Sequence, residues 1–276
     1  MKATLPAIVM TCQRYMPIAG HMIDRYAAHW PDHPFRFRLP DGRAARDLAR
    51  THCGRLELVP TDEGEGRGRF RAAVFGLLSG IPDDAWVYWC IDDKYVAWLD
   101  RPIARAVVDL VGSITDPRVA GLSFARARHL DPPPGGDRER FSCGGVSFDR
   151  RRDYRQIWLH QLLRAGVLRT LFGGFPDRLD SAKDMDALHR AASLPDDQRL
   201  YVLDRNAVVF GESTTRGRLT ANCAASMRRG RGVPPGFEVD GTTLVIGRRP
   251  SRLTTLMHRF RALRSASGLP IHAGRG

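Results

Sequence analysis

The sequence has little cysteine, almost no lysine and no long hydrophobic run. Its five cysteines are Cys12, Cys53, Cys90, Cys143 and Cys223. They are odd in number, widely spaced and never in a CxxC pair, which argues against a disulfide framework or a zinc site. No apolar run approaches the roughly 20 residues of a membrane-spanning helix, and no signal-peptide core follows Lys2. We therefore expect a cytoplasmic protein with free thiols.

Several motifs of nucleotide-binding proteins and hydrolases are also missing. GxGxxG does not follow the first predicted strand, and GxxxxGK[ST] occurs nowhere. A nicotinamide-dependent dehydrogenase or a P-loop kinase is therefore poorly supported. HExxH and GxSxG are absent too, which weakens the case for a metalloprotease or an α/β-hydrolase. The function must be sought in the order of the elements and in single polar residues.

The charge is strongly positive and unevenly distributed. The 276 residues include 43 Lys and Arg against 30 Asp and Glu, a net charge of +13, and nearly all the basic residues are arginine. Residues 225–276 hold ten arginines and only two acids, Glu238 and Asp240. Such a tail could bind phosphates, nucleic acid or an anionic membrane surface, or it could simply be a solvated face of an arginine-rich protein. We predict a domain at residues 1–222 and a basic extension at 223–276.

Strands and helices alternate through the first half of the chain. The predicted strands are residues 7–10, 35–39, 56–60, 85–91 and 119–124. Helices are predicted from Pro17 to Trp30, over 70–78 and from Asp100 to Ile114. This alternation predicts an α/β fold with a mostly parallel sheet flanked by helices. Ligands bind such sheets beyond the carboxyl ends of the strands, where the loops Thr11–Tyr15, Asp41–Gly42 and Asp92–Lys94 would lie.

The second half is less regular. Asp149 is predicted to cap a helix that reaches Leu162, and Ser181 to cap another. Residues 200–210 are predicted to form one strand. Residues 237–246 are predicted to form a hairpin turning at Asp240-Gly241, and residues 251–264 a basic amphipathic helix.

Asp92 and Asp93 are the strongest chemical feature, because they follow the most hydrophobic predicted strand. Adjacent carboxylates repel each other, so a divalent cation that bridges to a phosphate is a natural occupant. A solvated turn is the alternative. We favour binding because the strand delivers the pair to the ligand-binding edge of the sheet. A pair that lies far from any cavity, or one already neutralised by internal ion pairs, would count against an enzymatic function and leave only the topology.

The chain resembles the GT-A-fold (nucleotide-diphospho-sugar) glycosyltransferases, and most of all bacterial members that build surface or capsular polysaccharides. The resemblance extends over residues 5–222 in order and spacing. The segments that carry it are residues 8–15, 69–70, 86–95, 147–154, 181–186, 206–211 and 216–219. It implies a GT-A-like, Rossmann-type sheet, to which the C-terminal hairpin and basic helix are appended.

The resemblance also implies a reaction, in which a sugar moves from a nucleotide diphosphate to the hydroxyl of a saccharide or lipid-linked acceptor. Asp93, helped by Asp92, would hold Mn²⁺ or Mg²⁺ against the diphosphate. The residues implied to contact the nucleotide donor are Thr11, Cys12, Arg14, Tyr15, Asp41, Arg69, Asp92, Arg216 and Arg218. The sequence departs from the family in having Ile-Asp-Asp-Lys in place of a strict DxD, so Lys94 could partly replace the charge of the metal.

The same resemblance implies Asp186 as the general base, with Asp184 as its rival, and hence inversion at the anomeric carbon. Lys183 stands where relatives carry an aromatic residue, and the acid is Asp where Glu is usual. Asp186 could instead be a surface helix acid paired with Arg190 four residues later.

Two other classes of function stay open. A nucleic-acid-binding protein would explain the arginine-rich tail, but the sequence has no recognisable nucleic-acid motif, so we expect no such partner. A non-catalytic relative would use the fold as a scaffold, with the basic helix at 251–264 docking to a partner or to the inner face of the membrane.

Overall fold

The fold is described from a computed structural model. The described residues are 4–52, 54–61, 69–126, 139–151, 157–176, 185–188, 192–195 and 197–249. Among them, no helix combines the length and the apolar character needed to cross a membrane.

The strands and helices predicted for the first half of the chain are present, together with a helix at Arg43–Thr51 and a strand at Lys94–Leu99 that were not predicted. The strands are β1 (Leu5–Met10), β2 (Phe35–Pro40), β3 (Leu56–Val59), β4 (Trp86–Ile91), β5 (Lys94–Leu99), β6 (Val119–Ser123), β7 (Arg140–Cys143), β8 (Val146–Arg151), β9 (Gln161–Arg164), β10 (Arg199–Leu203), β11 (Val208–Glu212), β12 (Thr214–Thr215), β13 (Arg218–Leu219) and β14 (Val245–Ile246). The helices are α1 (Met16–His29), α2 (Arg43–Thr51), α3 (Arg69–Leu77), α4 (Arg101–Val111), α5 (Ala165–Gly173) and α6 (Ala221–Arg228).

A nine-stranded sheet forms the centre of the molecule, in the order β3-β2-β1-β4-β9-β6-β10-β8-β7. The strands β3, β2, β1 and β4 are parallel neighbours, and β6 is parallel to β10. Strand β9 is antiparallel to both β4 and β6, and β8 is antiparallel to β10 and β7. The predicted fold class, an α/β protein with a mostly parallel sheet and flanking helices, is therefore confirmed.

Strand β4 is buried on both faces. Tyr88 and Cys90 belong to the larger core, which includes α1 and α4, whereas Val87 and Trp89 belong to the core beneath α3 and α5. Successive side chains of a strand point to opposite faces, so a strand covered on both sides needs a continuous apolar run. This requirement explains why the segment before Asp92 is the most hydrophobic strand of the sequence.

A second sheet, β14-β11-β5, lies beside the first, and β12 and β13 form a short hairpin. Arg216 and Gly217 lie between the hairpin strands with φ values of 50° and 77°. Two consecutive positive φ values are typical of the tight hairpin turn whose twist matches that of its strands. Arg216 is the one non-glycine residue with positive φ in the described part of the chain.

Three predictions for the second half are wrong. Asp149 caps no helix, because it lies inside β8 and pairs with Arg126 and Arg140 at 2.7 and 3.1 Å. The single strand predicted at 200–210 is two strands, β10 and β11, which belong to different sheets.

The hairpin predicted at 237–246 does not form either. Val239 instead bridges Leu219 in parallel, and β14 pairs with β11. The physical reason is the open edge of β11, which offers this segment a partner outside itself.

The described part of the predicted extension packs on the main body. Cys223 and Met227 of α6 are buried in the larger core. The boundary at residue 222 stays a prediction. The basic helix predicted at 251–264, and with it the predicted membrane contact, lies outside the described residues.

Candidate functional site

The candidate site lies at the carboxyl edge of β2, β1 and β4. These three strands are parallel neighbours, so the residues that follow them emerge at one edge of the sheet. Thr11 follows β1, Asp41 follows β2, and Asp92 follows β4. The structure thus places the three predicted loops beside one another.

The loop after β1 is tied to the loop after β4. The Thr11 hydroxyl hydrogen-bonds the Asp92 carboxyl, and the Asp92 N–H donates to the Met10 carbonyl at 3.2 Å. Cys12, which is exposed, precedes a 3-10 turn at Gln13–Tyr15 that leads into α1. The amino terminus of α1 therefore lies at this edge, where its dipole favours anions.

Asp92 is the most perturbed acid of the site. Burial raises its pKa to about 7, and the neighbouring Asp93 carboxylate adds to the shift, while the Thr11 hydrogen bond opposes it. A partly buried carboxyl that titrates near neutrality can exchange a proton or receive a positive ligand, and such perturbed acids are common at functional sites.

The raised pKa of Asp92 predicts a pH-dependent gain from the change Asp92→Asn. The folded protein holds its proton up to about pH 7, whereas the unfolded chain releases it near the ordinary pKa of 3.8. Stability therefore falls as the pH rises from about 3.8 to about 7, and the full cost remains above pH 7. We expect the Asp92→Asn variant to have a free energy of unfolding roughly 1–3 kcal/mol higher at pH 8, with a smaller gain at pH 5.5. Guanidinium unfolding at both pH values measures this, and a less stable variant at pH 8 would contradict it.

Asp93 has an internal partner. The Lys94 ammonium lies 2.9 Å from Oδ1 of Asp93 and 3.6 Å from Oε1 of Glu212. The Lys94 side chain is only 8% exposed, whereas that of Asp93 is 34% exposed. The Asp93 carbonyl also accepts a 2.6 Å hydrogen bond from the N–H of Ser213. The acid is thus held between β5 and the end of β11.

This arrangement does not fit the predicted divalent-cation site of Asp93 and Asp92. The Lys94 ammonium occupies the position beside Asp93 in which a cation would be held, and the Asp92 carboxyl favours its neutral form more than an ordinary aspartate does. Across the described ranges, no group of three or more His, Cys, Asp and Glu side chains could hold a metal ion. We therefore derive no step through Mn²⁺ or Mg²⁺.

The β12–β13 hairpin brings a basic residue to the loop after β1. A Cβ on Gly217 would lie 3.7 Å from the Tyr15 hydroxyl, so the hairpin tip contacts that loop. Arg216, at the same tip, is exposed. Arg218 instead pairs with Glu238 at 3.0 Å. Arg216 and Arg218 are both implied to contact the donor, and the guanidinium of Arg216 is the more available of the two for binding a phosphate.

Asp41 is also paired within the protein. Arg46 donates to both oxygens of its carboxylate at 2.8 Å, and this interaction lowers the pKa of Asp41. The Gln13 amide packs over Gly42 so closely that a Cβ there would lie 1.9 Å from Nε2. The loops after β1 and β2 are therefore in contact, and any other residue at position 42 would force Gln13 away.

The acid predicted as general base is held by the segment that precedes β9. Gln161, the first residue of β9, pairs with Trp89 in antiparallel register, so the chain before Gln161 runs alongside the last residues of β4 toward its carboxyl end. The indole N–H of Trp158 donates to the Asp186 carboxylate at 2.5 Å. Asp186 is therefore a partly buried, positioned acid. Its rival Asp184 lies outside the described residues.

Helix α3 begins at Arg69, following the strand β3 that ends at the same edge. The amino terminus of α3 therefore lies toward this edge. Arg14, in the loop after β1, lies over the ring of Tyr15, with 5.7 Å between its guanidinium carbon and the ring centroid.

A buried hydrogen-bond chain fixes the end of β4. His160 donates from Nε2 to the Ile91 carbonyl at 2.8 Å, since a carbonyl can only accept. Its Nδ1 then accepts from the Tyr26 hydroxyl at 2.7 Å, and Tyr26 accepts from Tyr88 at 2.8 Å. Burial lowers the pKa of His160 to about 3, so the ring stays neutral. The chain sets the position of the backbone that leads into Asp92.

Structural neighbours of this chain include a galactosyltransferase. That protein, LgtC in complex with donor and acceptor sugar analogs, is 12% identical with a TM-score of 0.38, and the match covers 97% of each chain. S. aureus TarS 1–349 is 14% identical with a TM-score of 0.45, over 75% of this chain and 59% of that one.

A 4-diphosphocytidyl-2C-methyl-D-erythritol synthase is 16% identical with a TM-score of 0.41, over 83% of this chain and 99% of that one. These similarities concern the fold alone. No protein-family model matches the sequence, and no curated protein matches it.

Glu212 and Gln13 belong to the site although sequence patterns did not single them out. Glu212 reaches Lys94 because β11 pairs with β5, and no local pattern predicts a pairing between such distant segments. Gln13 lies inside the predicted loop Thr11–Tyr15, and its polar amide is the one sequence feature that could have indicated a role in the site.

Proposed function

We propose that the protein is a glycosyltransferase that moves a sugar from a nucleotide diphosphate to an acceptor hydroxyl, with inversion at the anomeric carbon. The observation that carries the proposal is the convergence of Thr11, Asp92 and the tip of the β12–β13 hairpin at the carboxyl edge of parallel strands. The sequence resemblance to GT-A-fold glycosyltransferases also supports the proposal, because several of the segments that carry the resemblance form this edge.

The loop after β1 would receive the nucleoside. Thr11, Cys12 and Tyr15 border the space beyond β1, and Asp41 lies beside them after β2. The Asp41 carboxylate already accepts hydrogen bonds from Arg46. A ribose hydroxyl would have to donate to a carboxylate lone pair that Arg46 does not use, or displace the arginine. Arg14 would contact the donor through its exposed guanidinium.

The diphosphate would lie between the amino terminus of α1 and the hairpin tip. The positive end of the α1 dipole favours anions, and Arg216 can add a bidentate contact. The leaving diphosphate gains negative charge during transfer, so these groups would stabilise the transition state more than the ground state.

The acceptor hydroxyl would lose its proton to Asp186. A hydroxyl is a weak nucleophile until it is deprotonated, and a positioned carboxylate typically accelerates such a step about 10²–10⁴-fold. Trp158 holds one oxygen of Asp186, which orients the carboxylate. We propose that the reaction belongs to the synthesis of a surface polysaccharide or glycoconjugate and that its acceptor is a saccharide or a lipid-linked saccharide.

Thermal unfolding in the presence of a panel of nucleotide sugars tests the donor site. A ligand that binds only the folded state raises the apparent stability by about 2.7 kcal/mol at 100 times its Kd, so one donor should raise the Tm by several degrees. The change Arg216→Gln should reduce that shift, whereas Arg248→Gln, in an exposed segment after β14, should leave it unchanged. No shift with any nucleotide sugar would refute the proposal.

A non-catalytic scaffold is the second candidate, and two ion pairs favour it. Lys94 neutralises Asp93 and Arg46 neutralises Asp41, so two acids that the resemblance places at the donor already have partners. Transfer to an acceptor, or slow hydrolysis of a bound nucleotide sugar, would exclude a scaffold. Binding of the donor without any turnover would favour it.

A further inference from the structure

The Lys94 ammonium is enclosed by carboxylates at the carboxyl edge of β4. Its distances are 2.9 Å to Asp93 and 3.6 Å to Glu212. The register of β5 against β11 places Lys94 directly opposite Glu212, so two strands fix the ammonium. With the side chain only 8% exposed, this cation is a built part of the site and differs from the exposed arginines of the surface.

We propose that Lys94 is the resident cation of this site, so that the acidic edge takes up no divalent metal ion and binds its diphosphate ligand without one. The part of the inference that concerns the diphosphate rests on the proposed function. The part that concerns the metal ion stands on the geometry of Lys94 alone.

A divalent ion would have to occupy the volume that the ammonium fills. Mg²⁺ and Ca²⁺ bind carboxylate oxygens at roughly 2.0–2.6 Å, and the Lys94 nitrogen already lies within hydrogen-bond distance of Asp93. Bringing a second cation to the pair would place two positive charges a few ångströms apart. Expelling Lys94 would leave a buried ammonium without its partners, which is costly.

The charge of the ligand would then be met by the protein itself. Lys94 cancels the charge of Asp93, which would otherwise repel a diphosphate approaching this edge. The positive end of α1 and the Arg216 guanidinium at the hairpin tip provide the attraction.

Titration with Mn²⁺ alone, followed by electron paramagnetic resonance of the free ion, tests the metal part. The wild-type protein should bind Mn²⁺ no more tightly than about 1 mM, the weak end of protein Ca²⁺ and Mg²⁺ sites. Lys94→Met keeps the length of the side chain and frees Asp93 and Glu212, so it should bind Mn²⁺ at least about tenfold more tightly. Lys94→Arg, which keeps the positive charge, should behave like the wild type. Circular dichroism checks that each variant is folded.

Micromolar binding of Mn²⁺ by the wild type, lost in Asp93→Asn, would overturn the inference. If Lys94→Met fails to fold, the wild-type titration still decides.

Binding of nucleoside diphosphates, measured by calorimetry with EDTA and with Mn²⁺, tests the part of the inference that concerns the diphosphate. We expect the affinities in the two conditions to lie within about threefold of each other. A strict need for Mn²⁺ would overturn it. If none of the common nucleoside diphosphates binds in either condition, the proposed function fails, and the Mn²⁺ titration still decides the role of Lys94.

Discussion

Replacing Asp186 with asparagine is expected to lower the rate of sugar transfer by at least about 10²-fold while leaving donor binding within a factor of about two or three. Asparagine keeps the oxygen that accepts from Trp158, so the local structure should persist. It cannot accept the acceptor proton at neutral pH. The measurement is single-turnover transfer from the donor that the thermal-shift panel identifies, together with the donor Kd.

The matched control is Asp197→Asn, which changes an exposed acid in the same way and should keep full activity. A variant Asp186→Asn that retains the wild-type rate would show that the base lies elsewhere. A parallel loss of donor binding would point to a structural role for Asp186, because a general base acts on the acceptor and not on the nucleotide.

Acidification from pH 6.5 to pH 5 is expected to destabilise the protein by several kcal/mol. Burial lowers the pKa of His21 and His33 to about 4 and that of His160 to about 3, in each case from 6.5. The unfolded chain therefore binds up to three protons that the folded chain refuses between about pH 4 and pH 6.5. Asp92 acts in the opposite direction, since it holds a proton in the folded state up to about pH 7.

The difference, about two protons, corresponds to roughly 2.7 kcal/mol for each pH unit. Stability from the neutral histidines is thus fully present above about pH 6.5 and is lost as the pH falls toward 4. Guanidinium unfolding at pH 7.5, 6.0 and 5.0 measures the slope. The change His21→Gln should reduce the slope of stability against pH by about one proton, because glutamine does not titrate. His21 Nε2 is buried without a hydrogen-bond partner in the described part of the chain. A stability that does not change over this range would contradict the prediction.

Most of the first half of the fold could be predicted from local patterns. Short apolar runs that end in polar loops correspond to β1, β4 and β6, because a strand covered on both faces must be continuously apolar. Strands β2 and β3 instead place charged residues between apolar ones, as in a half-buried strand. Helix α2 was not predicted, since its arginine-rich sequence buries only Ala45 and Leu48. Strand β5 was missed as well, and its position depends on pairing with the distant β11.

The second half failed where tertiary contacts override local preference. Asp149 followed by a polar, arginine-rich stretch is a fair helix start, but β10 and β7 flank this segment on both sides, and two arginines neutralise the acid inside the sheet. The segment at 237–246 lost its hairpin to the free edge of β11 in the same way. In both places a strand distant in the sequence supplied the pairing partner.

The sequence by itself determined where the site lies. A buried apolar strand must end in a polar turn at the surface, and parallel strands bring such turns to one edge, so the position of Asp92 and Asp93 follows from hydrophobic patterning. Only the tertiary structure decided what those acids contact. The Lys94–Glu212 pairing depends on the register between β5 and β11, and ion-pair partners are set by distances in space, which a one-dimensional pattern of polar residues does not encode.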